Sequence, residues 1–420
     1  MSASEPSAAQ QGIAPWVTVA ALSMLLGLQP VTTDLYLPAL PEMQRALGLS
    51  PSLAQWTLSV LILAFGFGQL VWGPVADRIG RRPVLRWGLG LYVLASVAAA
   101  LAESFAVMIT ARAVQGAALS AAVVCGRAMV RDLYAPEDGA RMMTKGMAGL
   151  GVIALVGPIL GGLAATHGGW RAAMSLLALA GAILLAFVWR LLPETLPDER
   201  RQHSLRWRNM AGQWWGIARH PTFRAHAMLT SSTFGGLYGY LALSAFVFID
   251  QLGVSRTGYG VIMACTSLAY LAGTWFCRRH LPSHGLVGTV RKAGFVSIAA
   301  GLWLVGLSVW QFGQATSVPA WSLLPGMWLY AFAHGIHQPC GQTGVVAAFP
   351  HQAGAASALS GFVLAAVAFG VAVLLSGWSA LPGWAGTIYP MTLSMALGAA
   401  ITARVALHRV QRDGLVKATA

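Results

Sequence analysis

The chain has 420 residues, of which 56% are hydrophobic and only 10% charged, with a mean hydropathy of +0.64. Soluble globular proteins carry roughly 25% charged residues, and disordered chains are poor in apolar ones. Both classes are therefore excluded, as are collagen-like and coiled-coil chains, which need a G-X-Y or charged heptad period. The net charge of +14 comes with no soluble basic patch of groove-reading elements, so nucleic acid is not an expected partner. Excess Lys and Arg point instead to loops on one side of a membrane.

In chain order, apolar runs fall near 15–38, 52–75, 83–102, 106–133, 141–166, 171–192, 223–249, 258–278, 290–312, 320–346, 353–377 and 384–407. A membrane-crossing helix needs about 20 apolar residues, so these runs read as twelve spans. A membrane barrel would instead show alternating segments of about 10 residues. The N-terminus holds Glu5 but no Lys or Arg before the first run, so that run reads as a retained span rather than a cleaved signal. Cys125, Cys265, Cys277 and Cys340 all sit in apolar segments and read as small buried residues. The longest polar gap divides the chain. The expected organisation is a tail at 1–14, six spans in 15–192, a central loop at 193–222, six spans in 223–407 and a tail at 408–420. With the N-terminus taken as cytoplasmic, the outside loops hold only Arg45, Arg171 and Arg256, Arg112 lies within a span, and the other basic residues fall on the cytoplasmic side. That asymmetry predicts both termini in the cytoplasm.

Asp34 lies in Val31-Thr32-Thr33-Asp34-Leu35-Tyr36-Leu37-Pro38-Ala39-Leu40-Pro41 and is the one acid well inside a span of the first half. Burial favours a neutral carboxyl and a nearby Arg favours the anion. A carboxyl balanced between them exchanges protons near neutral pH; a hydrated acid at the outer end is the alternative. Ala64-Phe65-Gly66-Phe67-Gly68-Gln69-Leu70 leads to the span 2–3 loop, Gly73-Pro74-Val75-Ala76-Asp77-Arg78-Ile79-Gly80-Arg81-Arg82-Pro83. Its glycines permit a tight turn, and Asp77 can cap a helix or pair with arginine. Its G-x-x-x-D-R-x-G-R-R spacing is more specific than a merely basic loop requires. Arg112, in Arg112-Ala113-Val114-Gln115-Gly116, places a charge inside an apolar span, at a cost of about 2.5–3.5 kcal/mol. Such a residue faces an aqueous cavity or an acid, or snorkels to the outer interface. Span 4 ends on Arg127-Ala128-Met129-Val130-Arg131-Asp132. Span 5 carries Gly157-Pro158-Ile159-Leu160-Gly161-Gly162, where small residues allow close helix approach and proline bends the helix. Asp250 ends span 7 and reads as a hydrated loop acid. In span 10, His334 and His337 share a helix face. They read first as a polar cavity wall, with proton coupling, metal binding and plain packing as alternatives. Gln338-Pro339 suggests a bent helix lining that cavity.

The span 2–3 loop resembles the signature loop of the major facilitator superfamily. The Arg112 motif resembles that family's fourth-span motif, and Gly157 to Gly162 resembles the antiporter motif of its drug exporters, with Ile153 where a glycine usually stands. The T-D-x-Y-L-P-A-L-P stretch, the Ala64–Leu70 segment and the end of span 4 are similar to the Bcr/CflA drug-resistance exporters. The resemblance implies an all-α membrane protein of the major facilitator fold, with twelve transmembrane helices in two six-helix pseudo-symmetric bundles. It implies Asp34 as a proton-linked acid with Arg112 as its modulator. It implies Gly73, Asp77, Arg78, Gly80, Arg81 and Arg82 as a conformational latch, and Gly157, Pro158, Gly161 and Gly162 as the antiporter motif. The candidate cavity residues are Tyr36, Gln69, Tyr238, Tyr240, His334, His337 and Gln338.

The function so implied is proton-coupled export of chloramphenicol- or bicyclomycin-like drugs across a bacterial inner membrane. An exporter or importer of a sugar, amino acid or other metabolite is the alternative. No ATP-binding loop, H-E-x-x-H or G-x-S-x-G is present, so an enzyme is not expected and uphill transport would draw on an ion gradient. No metal and no cofactor beyond the proton gradient is expected. The expected partners are a small-molecule substrate and the lipid bilayer, with the chain acting as a monomer. A single membrane acid further suggests neutral or weakly charged substrates, since a dication would need a second negative charge or cation–π contacts.

Overall fold

The computed structural model describes residues 14–197, 207–312, 318–384 and 386–415. The expected tails outside these limits, and Arg200, Arg201 and Arg206 of the expected central loop, lie outside the described residues. Among the described residues every regular element is helical. In chain order these are α1 (Pro15–Asp34), α2 (Leu40–Ala46), α3 (Pro51–Ile79), α4 (Arg81–Ala100), α5 (Phe105–Leu133), α6 (Pro136–Leu191), α7 (Trp207–Arg219), α8 (Pro221–Ala245), α9 (Arg256–Gln311), α10 (Ala320–Ala347), α11 (Ala353–Ser379), α12 (Tyr389–Arg404) and α13 (Val410–Asp413).

Local chemistry sets where these helices begin. Proline, whose missing N–H is not needed in a first turn, opens α1, α3, α6 and α8. Ser50, Ser104 and Ser255 cap α3, α5 and α9, each accepting a first-turn backbone N–H. Helix α6 and helix α9 are each 56 residues long. Each is divided by one glycine in a left-handed conformation, Gly169 (φ 70°) and Gly285 (φ 62°). The first part of α6 leaves the neighbourhood of Val130, beside which Gly139 packs. Its last turn returns to the same end, where Trp189 accepts a hydrogen bond from Arg82 at 3.0 Å. Its middle reaches the opposite end, where Arg171 donates to the Ala102 carbonyl at 3.1 Å.

Nine helices among the described residues are long and apolar enough to cross a membrane, and two of these are the double-length α6 and α9. Their positions follow the apolar runs closely, with three differences, the first being that the run at 320–346 forms α10, which is not among the nine. The last run begins at 384, but α12 starts only at Tyr389, after Gly383 and Gly386 in left-handed turns. Helix α7 occupies part of the segment read as a loop. Its Trp214, Ile217 and Ala218 share one face and pack on Phe223, Val345 and Phe349.

The end of the molecule that carries the start of α1 and the end of α13 is termed the terminal face, and the opposite end the far face. Toward the far face one continuous core joins the two halves, from Tyr36, Leu58 and Trp170 to Tyr238, Phe248 and Met391. Toward the terminal face the core separates. One cluster, with Val17, Leu85 and Val188, belongs to the first half; the others, around Val290 and Phe223, belong to α7 and the second half. The halves are thus packed together at one end and parted at the other.

Glycine sets the closest helix crossings. A side-chain carbon on Gly273 of α9 would strike the backbone of Phe332 on α10, and one on Gly335 of α10 would strike Tyr270 of α9. These two glycines form a reciprocal contact of the small-residue type. Gly273→Ala or Gly335→Ala is expected to cost about 1–3 kcal/mol through overpacking. Gly90→Ala, with open space at its position, should be neutral. Thermal unfolding of the purified variants checks this, and equal midpoints for all three would contradict it.

Candidate functional site

Helix α1 ends at Asp34 because the following segment holds Pro38 and Pro41, and the chain turns through a short 3₁₀ segment, Leu37–Ala39. Asp34 is half-buried and accepts a hydrogen bond from Thr33 Oγ1 at 2.6 Å. The Leu37–Ala39 segment that follows it packs against α8 and α9 of the second half. The acid therefore sits at the boundary between the halves.

Arg112 of α5 has no exposed surface. It neither snorkels nor faces an acid. Its Nη1 donates to Gln115 Oε1 at 2.6 Å, its Nε to the Thr57 carbonyl at 3.3 Å and its Nη2 to the Thr32 carbonyl at 3.4 Å. The guanidinium also lies over the Tyr36 ring, 4.1 Å from its centre. Thr32 is in the last turn of α1, whose final carbonyls lack intrahelical partners and carry the negative end of the helix dipole. A desolvated cation–π contact adds about 2 kcal/mol. The shell continues outward: Gln115 donates to Ser96 Oγ at 2.7 Å, and Thr32 Oγ1 bonds Tyr92 OH at 2.7 Å. A buried positive charge is held entirely by neutral groups, leaving Asp34 without a fixed cationic partner among the described residues.

The other cavity candidates separate into groups. Tyr238 OH bonds Ser59 Oγ at 2.6 Å, a buried link between the halves. Tyr36 OH faces Thr57 Oγ1 at 3.4 Å. The Tyr240 hydroxyl is buried without a hydrogen-bond partner among the described residues. The two histidines bond to different helices: His334 Nδ1 meets Thr233 Oγ1 of α8 at 3.1 Å, and His337 Nε2 meets Ser297 Oγ of α9 at 3.1 Å. Gln338 is half-buried with its Oε1 unpartnered among the described residues. Gln69 lies elsewhere, in a cavity of about 610 Å³ toward the terminal face, together with Gly73, Asp77 and Arg81.

The signature loop is built around Arg81, which bonds Asp77 one turn before it and Asp132 Oδ2 of α5 at 3.0 Å. Glu194, just beyond α6, accepts the backbone N–H of Arg81 at 2.8 Å and of Arg82 at 3.1 Å. It thereby caps α4, where Gly80 offers no side chain. Gly80 has φ 101°, and a side chain there would strike the Glu194 carboxylate. The glycine is thus required twice over. Arg78 is exposed. Glu194 is not singled out by the sequence reading; an acid directly after a span end, at the same membrane face as the arginine loop, was the available signal.

In the antiporter motif, a side chain on Gly161 would strike the Leu35 carbonyl, one residue from Asp34. Gly162 packs on the Arg256 backbone, and the Pro158 carbonyl is approached by Gly260. Gly157 has open space around it. Ile153, standing where a glycine is usual, packs into the gap left by Gly27. The motif brings α6 against both the end of α1 and the start of α9.

Two ion pairs cross between the halves at the far face. Arg45 Nη1 meets Asp250 Oδ1 at 2.9 Å, and Arg256 Nη1 meets Glu42 Oε2 at 2.9 Å. Asp250 is therefore paired rather than merely hydrated, because the π-helical turn Phe246–Gln251 carries it to α2. Each half supplies one cation and one anion. Partly exposed pairs contribute about 0.2–1 kcal/mol each. Arg45→Ala with Arg256→Ala is therefore expected to raise the ratio of far-face-open to far-face-closed molecules by about two- to thirtyfold. Electron–electron distance measurements between spin labels at Glu103→Cys and Leu381→Cys, with the native cysteines replaced, check this. An unchanged distance distribution would contradict it.

The sequence matches the family description "Major Facilitator Superfamily" over residues 22–373. A chloramphenicol resistance protein of Pseudomonas aeruginosa is 30% identical over 407 residues, covering 94% of this chain and 93% of that protein. A bicyclomycin resistance protein homolog of Haemophilus influenzae is 26% identical over 352 residues, covering 84% and 87%. The crystal structure of a D-xylose-proton symporter has the same fold, with a TM-score of 0.72 over 93% of this chain and 96% of that one at 14% identity. A helical membrane architecture, a built signature loop and a family match across most of its length establish that this chain belongs to the major facilitator superfamily of membrane transporters.

Proposed function

We propose that the protein exports small amphipathic drugs, of the chloramphenicol or bicyclomycin class, across a bacterial inner membrane in exchange for protons. The terminal face is cytoplasmic in this reading, consistent with the concentration of basic residues there. Twelve crossings then form two bundles, 15–192 and 223–407, joined by the cytoplasmic segment 193–222. The present arrangement, closed at the far face and parted at the terminal face, is the state open to the cytoplasm. The drug-resistance names of the relatives support the cargo class.

One observation carries the proton coupling. Arg112 is satisfied by carbonyls, Gln115 and the Tyr36 ring, so Asp34 at the bundle boundary has no fixed counter-charge among the described residues. Its negative charge must then be compensated by a proton or by a bound ligand. Protonation from the outside and ligand binding from the inside compete for one acid. This competition couples the two fluxes without both being bound together. Gly161 seats α6 on the residue after this acid, so a change at Asp34 reaches the α6–α9 interface through one contact.

Inverted inner-membrane vesicles with an acidic lumen, from which protons leave down their gradient, are expected to accumulate chloramphenicol, and Asp34→Asn is expected to abolish the gradient-driven part, a loss of at least tenfold. Accumulation that persists in Asp34→Asn would remove Asp34 from the coupling. No accumulation by the wild type would remove chloramphenicol as cargo.

A further inference from the structure

The cavity of about 610 Å³ at the terminal face is lined by helices α3, α5, α7 and α11, by Arg81 at the start of α4 and by the turn Pro350–Gln352. Three of its lining residues are arginines: Arg81, Arg127 and Arg131. Arg81 is neutralised by Asp77 and Asp132. Arg127 and Arg131, one turn apart on α5, form no ion pair among the described residues. The hydrogen bond of Arg127 goes to the neutral Ser357 Oγ at 3.2 Å. Two carboxylates, Asp77 and Asp132, face three guanidiniums, so the cluster keeps one net positive charge, and like charges one turn apart repel.

Two further features point the same way. Helix α11 begins against these arginines, with Gly354 beside the Arg131 guanidinium and Gln352 giving its first N–H groups no side-chain cap. The positive end of the helix dipole therefore adds to the two guanidiniums. Gln69, only 5% exposed, lines the same cavity. Its amide lies flat against Gly361 and has no hydrogen-bond partner among the described residues. The amide lines the cavity with both its donors and its acceptor free for a ligand there. Half-buried Trp214 of α7 offers an apolar surface at the mouth.

We propose that this vestibule is an anion site, in which Arg127, Arg131 and the start of α11 hold the carboxylate, sulfonate or phosphate of an amphipathic molecule, with Gln69 and Trp214 against its uncharged part. Guanidinium groups and free helix N–H groups are the donors that suit such oxyanions. The volume falls within the range of drug-sized sites. Taking the anion as cargo rests on the exporter reading; the binding itself does not. The site extends the expected substrates from neutral compounds to amphipathic anions entering from the terminal face.

The test is calorimetric titration of the purified full-length protein in phosphatidylcholine nanodiscs. The probe is naphthalene-1-sulfonate, with neutral 1-naphthalenemethanol beside it. The sulfonate is expected to bind saturably and to weaken as salt is raised. Its affinity should fall at least tenfold in Arg127→Gln and in Arg131→Gln, and stay unchanged in Arg291→Gln, which removes an exposed charge outside the cavity. Arg131→Lys should retain part of the affinity, which guards against misfolding as the cause. Absence of saturable binding, equal affinity in the wild type and both glutamine variants, or an equal loss in Arg291→Gln would overturn the site. Phosphatidylglycerol discs distinguish the source of the anion. Competition by that lipid in the wild type assigns the site to a headgroup phosphate, and its absence assigns the site to a soluble anion. Sulfonate binding without gradient-driven chloramphenicol uptake would leave the site standing and remove the exporter reading. Uptake without sulfonate binding would remove the site alone.

Discussion

A single buried guanidinium organises the first half of this protein. Arg112 reaches the carbonyl at the end of α1, a carbonyl of α3 and Gln115 on its own helix, and Gln115 in turn holds Ser96 of α4. Four helices converge on one charge. Taking such a charge out of water costs several kcal/mol unless its hydrogen-bonding capacity is filled, so each of these helices is constrained in both position and rotation. Because the compensation comes from dipoles and the Tyr36 ring, no carboxylate is consumed in stabilising it. Asp34, at the adjacent helix break, is left without a fixed cationic partner among the described residues.

The same economy of charge separates the two ends of the molecule. At the far face, two ion pairs with opposite polarity span the halves, and the apolar core is continuous beneath them. At the terminal face, Asp77, Arg81 and Asp132 form a network within the first half, braced by Glu194. The partly exposed pairs across the far face are weak individually. Weakness suits them to a transporter, which must break and remake them in each cycle.

Much of the architecture was legible in the sequence because bilayer thickness and apolar run length are directly linked. The run boundaries lie close to the helix limits, and the G-x-x-x-D-R-x-G-R-R spacing marked the loop that Arg81 and Gly80 shape. What could not be read were contacts between residues far apart in the chain. Arg45 and Asp250 are 205 residues apart, and nothing local marks them as partners. Arg112 carried a visible cost but not its solution, since carbonyl oxygens at a helix end leave no sequence signature. The shared face of His334 and His337 was correct in helical geometry, yet a fully packed helix offers neighbours on every side, and the rings bond to different ones. Helix α7 was hidden by the arginines of the segment around it, which outweigh three apolar positions spaced for a helix.

The central claim is that Asp34 carries the exchanged proton and gives it up when a ligand binds. Its most direct test is the pH change of a weakly buffered solution of the purified protein on addition of chloramphenicol, compared with Asp34→Asn. The account predicts proton release by the wild type, saturating with bound ligand, and none by Asp34→Asn. Equal release by both proteins, or ligand binding to the wild type without any release, would contradict it.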